Sequence, residues 1–324
     1  MLESDRNLPN EILGNIFSHL SQRDLTKVVL VSHRFNAIAE PALYSSIDID
    51  EELVGDSDVP QSTLGWCDAM KRNQLYDIPR KLSIRWRIYT VNNERSKILS
   101  HSCSLVSDNI RRLTLLDTLE LSMGPCDSIS VIMVELIRDL RLPNLRHCFL
   151  DTSDPTRLDL FDYVPTPSDM SGFIASHSGL RYLAFLQNPD SVLELIPHDA
   201  IPELSIFYGT PSGAAFILPG RPVHHLMLTG MQHDLSSENL SRMALTSVPL
   251  RILDLSDMFI YPSVLCDIAT HIPTIEILKI TTSIVSHPYL HLWWRSFLLK
   301  IDSFLGRHSF AIILFSPIQK AKLV

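Results

Sequence analysis

The chain has 324 residues, of which 45% are hydrophobic and 20% are charged, so it can form one large domain or a small domain and a large one. Its formal net charge of −8, without a basic stripe, argues against nucleic acid as a partner. The five scattered cysteines lack C-x-x-C spacing, which argues against a zinc site and favours reduced thiols in the cytoplasm or nucleus.

Apolar residues in the first twenty positions have the spacing of one helix face. They are Leu8, Ile12, Leu13, Ile16, Phe17 and Leu20. Pro9 suits the first turn of this helix, because its missing N–H is not needed there. Further helices are predicted to start at Ser21, with Asp24 three residues on, and at Ser32, while Pro41 should end or kink the third. Three helices this short bury their apolar faces poorly alone, so we expect apolar surface left for another protein.

Residues 8–39, LPNEILGNIFSHLSQRDLTKVVLVSHRFNAIA, resemble an F-box. The resemblance lies in the L-P-x-E-I-L-x-x-I-F opening, the D-L pair at 24–25 and V-S-x-R-F at 31–35. Ser32, where the family often has Cys, and Phe35, where it often has Trp, are departures. The resemblance implies binding to the Skp-type adaptor, which connects F-box proteins to the cullin scaffold of a ubiquitin ligase.

We assign residues 5–46 to this F-box. Carried over position by position, the resemblance implies adaptor contacts from Leu8, Pro9, Ile12, Leu13, Ile16, Leu20, Leu25, Val28 and Val31. Some of these side chains could instead form the internal core of the helical module. Pro9 is the first candidate for a direct contact, because it lies at the exposed start of a helix.

Residues 47–74 are interpreted as an acidic linker and connecting segment. YSSIDID, at 44–50, alternates apolar and polar residues and predicts a short strand. The run from Asp48 to Asp58 holds six acidic residues and no basic one, which is typical of a solvated loop.

From residue 75 to residue 310 the chain repeats a short phrase of the type L-x-x-L-x-L. Its copies begin at Pro79, Leu116, Leu145, Leu180, Ile201, Val223, Leu250 and Ile275. Helix-like segments lie between them, namely VIMVELIRDL, SVLELI, SSENLSRMAL and PSVLCDIATHI. This alternation predicts an α/β fold in which the F-box module is followed by an irregular leucine-rich-repeat-like solenoid, with parallel strands on one side and helices on the other.

The repeat is degenerate. The Asn that often follows such a phrase appears only at Asn188, so a doubly wound sheet remains an alternative. A helix around Trp293 and Trp294 is expected to cap the last repeat, whose open end would otherwise expose core. The apolar run at 309–315 is shorter than the roughly 20 residues of a membrane-spanning helix, so we expect no contact with a membrane.

In such a repeat, the residues between the core positions point to the concave face, which we expect to bind a protein target. The candidate target-binding residues are His147, Phe149, Tyr182, Phe207, His225 and Met227. A shift of one residue in the strand register would exchange these side chains for core residues.

No sequence motif of catalysis or of nucleotide binding is present, so we predict a protein that is not an enzyme and that needs no cofactor or metal. His287 and His291 have helical metal-site spacing, but Pro288 argues against a regular helix there. The predicted function is substrate recognition in an SCF-type (cullin–RING) ubiquitin ligase. Two alternatives stay open: a scaffold that uses its F-box outside any ligase, and an enzyme within the repeat region.

Overall fold

The computed structural model describes residues 8–54, 59–88, 93–124, 129–151, 167–186, 190–231, 234–259, 262–281 and 311–315. Within these ranges, three helices are followed by strands that alternate with helices. No helix in the same ranges is long and apolar enough to cross a membrane.

The three N-terminal helices are α1 (Asn10–Phe17), α2 (Gln22–Val28) and α3 (His33–Ser45). They enclose a small core in which the Phe17 and Phe35 rings meet edge to face, with their centroids 5.4 Å apart. The buried members of this core are Leu13, Phe17, Leu25 and Ala39. The helical module predicted for this part of the chain is therefore present.

Two predicted helix starts are confirmed by their hydrogen bonds. The Ser21 hydroxyl accepts from the backbone N–H of Asp24 at 3.2 Å, and the Ser32 hydroxyl accepts from that of Phe35 at 3.1 Å. Of the two outcomes predicted for Pro41, an end of α3 is wrong, because the helix continues to Ser45. The turn beyond the proline packs Ala42 and Leu43 against the module's core, which offsets the one backbone hydrogen bond that proline cannot donate.

The rest of the described chain builds one parallel sheet of ten strands, which lie in the order of the sequence. The strands are β1 (Ser46–Leu53), β2 (Lys81–Ile88), β3 (Thr118–Gly124), β4 (His147–Asp151), β5 (Tyr182–Phe185), β6 (Ile206–Gly209), β7 (His225–Met231), β8 (Ile252–Phe259), β9 (Ile277–Thr281) and β10 (Ala311–Phe315). The order never reverses along these strands, as it would in the doubly wound alternative.

Helices connect the strands from β1 to β9, and those predicted from the segments between the phrases are confirmed as α6, α8, α10 and α11. The connecting helices are α4 (Gln61–Asn73), α5 (Asn93–Ile110), α6 (Ile129–Ile137), α7 (Pro167–Ala175), α8 (Asp190–Glu194), α9 (Pro211–Ile217), α10 (Ser237–Met243) and α11 (Pro262–His271). Because strand–helix–strand crossovers are right-handed, a sheet ordered in this way carries its helices on one face.

Burial alternates along the strands as this arrangement requires. On β3, Leu119 and Leu121 are fully buried in the core that the sheet shares with the helices, whereas Thr118, Glu120 and Ser122 are partly exposed. The partly exposed side chains lie on the face of the sheet opposite the core. We call this face, on β1 to β9, the open face of the sheet.

The solvated loop predicted from the acidic run is wrong for residues 48–53. These residues belong to β1, which pairs in parallel with β2, and the short strand predicted from YSSIDID is confirmed. The strand buries Ile47, Ile49 and Leu53, and it exposes Asp48, Asp50 and Glu52, of which Asp50 pairs with cations of β2. The fourth acidic residue of the strand, Glu51, is on the side of the core and is only partly exposed.

Two predictions near the C-terminus concern residues outside the described ranges. The helix expected around Trp293 and Trp294 is one, and the helical spacing of His287 and His291 is the other. The apolar run at 309–315 contributes β10, which pairs in parallel with β9.

Candidate protein-binding surfaces

Three large aliphatic side chains lie exposed on α1 or just before it. Leu8, Ile12 and Ile16 are 50%, 47% and 45% exposed. Ile12 and Ile16 are four residues apart and lie on one face of the helix, and Leu8 and Pro9 directly precede its first residue. We call these four residues the α1 surface. An aliphatic stripe of this kind, exposed on a small module, is typical of a helix that packs against another protein.

Other predicted adaptor-contacting residues lie inside the module. Leu13 and Leu25 are only 7% and 3% exposed and belong to its core, while Leu20 and Val28 are partly buried against it. Val31, after the end of α2, is 66% exposed. The structure thus places five of the nine predicted residues at the surface: Leu8, Pro9, Ile12, Ile16 and Val31.

Sequence reasoning missed Leu30, which is 84% exposed next to Val31. Its neighbours are apolar too, so helical spacing alone does not predict whether Leu30 is buried or exposed. The turn that ends α2 directs its side chain away from the core.

Arg34 fixes the start of the α1 surface. Its guanidinium donates to the side-chain oxygen of Asn10 at 2.9 Å and to the backbone carbonyl of Leu8. The arginine of the V-S-x-R-F segment therefore connects the beginning of α3 to the beginning of α1. A second side chain, Gln22 on α2, donates to the carbonyl of Ser46 and connects the module to β1.

The open face carries most of the predicted target-binding residues. His147 is exposed, and Phe149, Tyr182, His225 and Met227 are partly exposed. The strand register brings His147 beside Tyr182, with ring centroids 6.3 Å apart.

Phe207 does not lie on the open face, and its assignment there is wrong. Its side chain is fully buried, and it is level with the core residue Leu183 on the neighbouring strand. The phrase predicted to begin at Ile201 lies three residues before the one whose side chains enter the core. Because three is an odd number, this shift exchanges the two faces of the strand. Ile206 and Tyr208 take the outward positions on β6 instead.

Tyrosines and carboxylates interact closely on this face. The Tyr208 hydroxyl donates to Oδ2 of Asp257 at 2.9 Å. Burial raises the pKa of Tyr208, and the negative charge of Asp257 raises it further. Burial also raises the pKa of Tyr182, with a contribution from Glu120. Both hydroxyls therefore stay protonated around neutral pH and act as hydrogen-bond donors.

The cations of the open face pair with carboxylates. Lys81 lies 2.6 Å from Glu120, and Arg85 and Arg87 lie 3.3 Å and 2.6 Å from Asp50. These pairs lie near the β1 edge of the sheet. Because Asp50 already engages both arginines, this corner is not a ready site for a phosphate group.

His225 has a different environment. Burial lowers the pKa of its imidazole, and the nearby positive charge of Lys279 lowers it as well, so the ring is neutral around pH 7. Its Nε2 atom is buried and has no hydrogen-bond partner among the described residues.

The described residues offer little to covalent or metal chemistry. They contain no group of three or more His, Cys, Asp or Glu that could hold a metal ion. Burial raises the pKa of the Cys67 and Cys148 thiols to about 12, so neither thiol is a nucleophile around neutral pH. What these surfaces can do is pack against a partner and hydrogen-bond it.

Comparison with known proteins concerns the N-terminal module. Residues 5–50 match the family model described as F-box-like, which spans α1 to α3 and the first part of β1. A search of curated proteins finds none that matches the chain. The matched segment contains the α1 surface, the two serine caps and Arg34. Residues 5–50 of this chain are an F-box-like domain.

Proposed function

We propose that this protein is a substrate-recognition adaptor of an SCF-type ubiquitin ligase. The observation that carries the proposal is an F-box-like domain whose α1 surface is exposed. F-box domains generally bind Skp-type adaptors. In this protein the α1 surface, together with Val31, contacts the adaptor, while Leu13 and Leu25 act indirectly by holding the helices together.

Physical chemistry supports a protein partner at this surface. Full burial of an aliphatic side chain contributes roughly 1.5–3 kcal/mol. Leu8, Ile12 and Ile16 are each about half exposed. A partner that covers all three therefore gains roughly half of that free energy for each side chain. Arg34 holds the start of α1 in place before binding, which lowers the conformational entropy lost when the complex forms.

The second part of the proposal concerns the sheet. We propose that the strand–helix units are degenerate leucine-rich repeats that form a solenoid, and that its open face holds the target protein. The chain-order parallel strands and the recurring L-x-x-L-x-L phrases support this. The protein then contributes proximity to the reaction and no reacting group, since the ligase's conjugating enzyme modifies the target.

Binding of the purified full chain to a Skp-type adaptor tests the proposal. The test variant is the double substitution Ile12→Asp and Ile16→Asp, because both side chains are exposed and the change spares the core. We expect its affinity for the adaptor to fall by about a hundredfold or more, since two buried apolar contacts become buried charges.

The matched control is Leu195→Asp with Leu245→Asp, which places the same two charges at leucines that are 54% and 61% exposed, just after α8 and α10. It should bind like the wild type. Helix content is compared among the three proteins by circular dichroism. Unchanged binding by the test variant, or no binding by the wild type, would contradict the proposal.

A second step separates the ligase from a scaffold outside it. The complex of this chain with the adaptor is mixed with a cullin, and co-elution is measured. Co-elution supports the ligase adaptor. A chain that binds the Skp-type adaptor but is excluded from the cullin supports the scaffold alternative.

A further inference from the structure

The edge of the sheet at which the strands begin is rich in arginine. Four connections lead from helices into β2, β3, β4 and β5, namely residues 74–80, 111–117, 138–146 and 176–181. Together they contain seven Arg, no Lys, three Asp and no Glu, a net charge of +4 in a chain whose net charge is −8. Because strands and helices separate the connections along the chain, only the parallel sheet brings these arginines together.

Backbone hydrogen bonds fix the positions of a first row of arginines. Arg80, Arg146 and Arg181 directly precede β2, β4 and β5, and Asp117 directly precedes β3, so the strand register sets the four side by side. Each is joined to the next by a bond of 2.8 Å, from the N–H of one residue to the carbonyl of its neighbour. Since neighbouring strands are about 4.8 Å apart, the backbones of Arg80 and Arg146 are about 10 Å apart.

Arg112 and Arg141 form a second row on the same edge. Each stands directly before a buried leucine in the turn that follows a helix, so the two occupy equivalent positions in neighbouring units. The two turns are joined, because the guanidinium of Arg111 donates to the carbonyl of Arg138 at 3.0 Å. The guanidinium of Arg112 also lies over the ring of Tyr76, 5.4 Å from its centroid, which holds this cation in place.

The seven arginines divide by their partners. Three pair with carboxylates: Arg111 with Asp108, Arg138 with Asp169 and Arg181 with Glu203. The other four have exposed side chains and no ion pair with any residue that the structure describes, and we call them the basic edge: Arg80, Arg112, Arg141 and Arg146. Asp117, between Arg80 and Arg146, is only partly exposed and accepts from the Thr118 hydroxyl at 2.7 Å. The basic edge therefore offers four guanidinium groups to an acidic partner.

The spacing of the basic edge fits carboxylates that are spread along a segment. A single phosphate is bound by guanidinium groups that converge on it, whereas the backbones of Arg80 and Arg146 are about 10 Å apart. In an extended segment, alternate side chains lie about 7 Å apart, so Asp or Glu at alternate positions can reach successive arginines. Nucleic acid fits poorly, because four cations cover only a short stretch of its phosphates and the chain as a whole has a net charge of −8.

We propose that the basic edge binds an extended segment of a partner protein that is rich in Asp and Glu. The carboxylates accept charge-assisted hydrogen bonds from the guanidinium groups, whose planar shape suits them. Because the backbone ladder fixes the arginine positions before binding, little backbone order is lost in the complex. The inference goes beyond the proposed function, since it holds whether or not the F-box-like domain enters a ligase.

Fluorescence anisotropy of the full chain with a labelled peptide tests the inference. The probe is a fluorescein-labelled peptide of about a dozen residues in which Asp alternates with Ser. The test variant is Arg80→Gln with Arg146→Gln, which removes two charges of the basic edge at exposed positions and leaves the backbone ladder in place. The matched control is Arg23→Gln with Lys27→Gln, which removes two charges at exposed positions on α2.

We expect the wild type and the control to bind the Asp–Ser peptide, and the test variant to bind it at least about fivefold more weakly. Binding to the wild type should also weaken as sodium chloride is raised, which tests the charge contribution without any substitution. No binding by the wild type, equal affinities of the test variant and the control, or binding that does not depend on salt would overturn the inference.

Three further measurements address other occupants of the basic edge. Tighter binding of a peptide whose only acidic group is one phosphoserine, or of single-stranded DNA of similar length, would overturn the inference. Sedimentation velocity of the protein alone tests a second copy of the chain, and we expect the wild type and the test variant to sediment alike. Self-association that the test variant abolishes would show that the basic edge binds another copy, which would overturn the inference as well.

The outcome is separable from that of the adaptor proposal. The Ile12→Asp and Ile16→Asp variant should lose the Skp-type adaptor and still bind the Asp–Ser peptide. The Arg80→Gln and Arg146→Gln variant should lose affinity for the peptide and keep the adaptor. Failure of one surface therefore leaves the test of the other intact.

Discussion

The carboxylate of Glu51 on β1 accepts a hydrogen bond of 3.0 Å from the backbone N–H of Thr63, in the first turn of α4. It also accepts from the N–H of Ser62 at 2.6 Å, at a helix start where Pro60 offers no side-chain cap. The Thr63 hydroxyl donates to the same carboxylate and accepts from the indole N–H of the fully buried Trp86 at 2.9 Å. Glu51 thus caps a helix from a neighbouring strand.

Replacing Glu51 with Ala should lower the free energy of unfolding by about 1–2 kcal/mol, because the helix loses its cap and the buried Thr63 loses an acceptor. Urea denaturation measures the loss. Glu52→Ala is the matched control, since Glu52 is exposed on the same strand, and it should change stability by less than about 0.5 kcal/mol. Equal losses in the two variants would show that Glu51 is not a cap.

Neighbouring residues of α1 should separate the core of the F-box-like domain from its surface. Leu13→Ala should destabilise the domain by about 2–4 kcal/mol, because it leaves a cavity in a small core. Ile12→Ala should cost less than about 1 kcal/mol, since this side chain is already half exposed. Hydrogen exchange of the α1–α3 amides measures both effects. A loss of protection in the Ile12 variant as large as in the Leu13 variant would contradict the assignment.

The sequence predicts structural features that depend only on residues close together along the chain. Ser21 and Ser32 cap helices through residues three positions on, so the capping pattern alone locates both helix starts. Ile12 and Leu13 lie on the same broad apolar face, and only the position of the other two helices decides which one is buried. Glu51 was beyond prediction, because its partner is on a helix that the strand pairing brings near.

The register of β6 is a second feature that the sequence pattern does not predict. A Cβ at Gly209 would lie 2.7 Å from the Phe207 ring and 2.9 Å from the carbonyl oxygen of Phe185, so glycine stands where the other phrases have an apolar residue. The apolar residues from Ile201 to Ile206 also have the spacing of the phrase, so the sequence predicts its position three residues too early. Helix α9 was also not predicted. Its Gly213 disfavours a helix in isolation, but a Cβ there would lie 2.8 Å from Leu193 on α8.

His177 should make stability depend on pH. Its buried ring accepts from the N–H of Leu142 at Nε2, at 3.0 Å, and bonds the carbonyl of Phe173 through Nδ1, which requires the neutral form. Burial lowers the pKa of His177 in the folded protein. Below its ordinary pKa of about 6.5, the unfolded chain therefore binds a proton that the folded chain does not, and the free energy of unfolding falls as pH falls.

The measurement is the free energy of unfolding at about pH 7 and at about pH 5, in the wild type and in His177→Asn. Since the variant lacks this titrating group, it should lose less stability over that interval. Ser178→Ala, at an exposed position next to His177, should keep the slope of the wild type. A slope in the His177 variant as steep as in the wild type would contradict the prediction.

Arg221 is a buried cation whose contribution is structural. It is 1% exposed, and its guanidinium donates to the carbonyls of Pro197 at 2.7 Å, of Ala200 at 3.1 Å and of Ile217. Arg221→Met should lower the free energy of unfolding by about 3 kcal/mol or more, because buried carbonyls lose their donors.

The control for Arg221 is Arg251→Met. Arg251 pairs with Glu276 at 3.6 Å where both side chains are 59% exposed, so its loss should cost less than about 1 kcal/mol. Thermal denaturation compares the two variants. A Met variant at position 221 as stable as the wild type would mean that water satisfies the carbonyls instead.

Helix α3 ends at Ser45 and β1 begins at the next residue, Ser46. The backbone N–H of Arg80 donates to the carbonyl of Ser45 at 2.8 Å, and the Gln22 side chain donates to that of Ser46. In the proposed adaptor, the angle between the ligase and a captured protein is therefore set by a single helix–strand joint. That angle decides which lysines of the captured protein come within reach of the conjugating enzyme. The choice of the lysine that is modified therefore depends on this joint as well as on the surface that binds the captured protein.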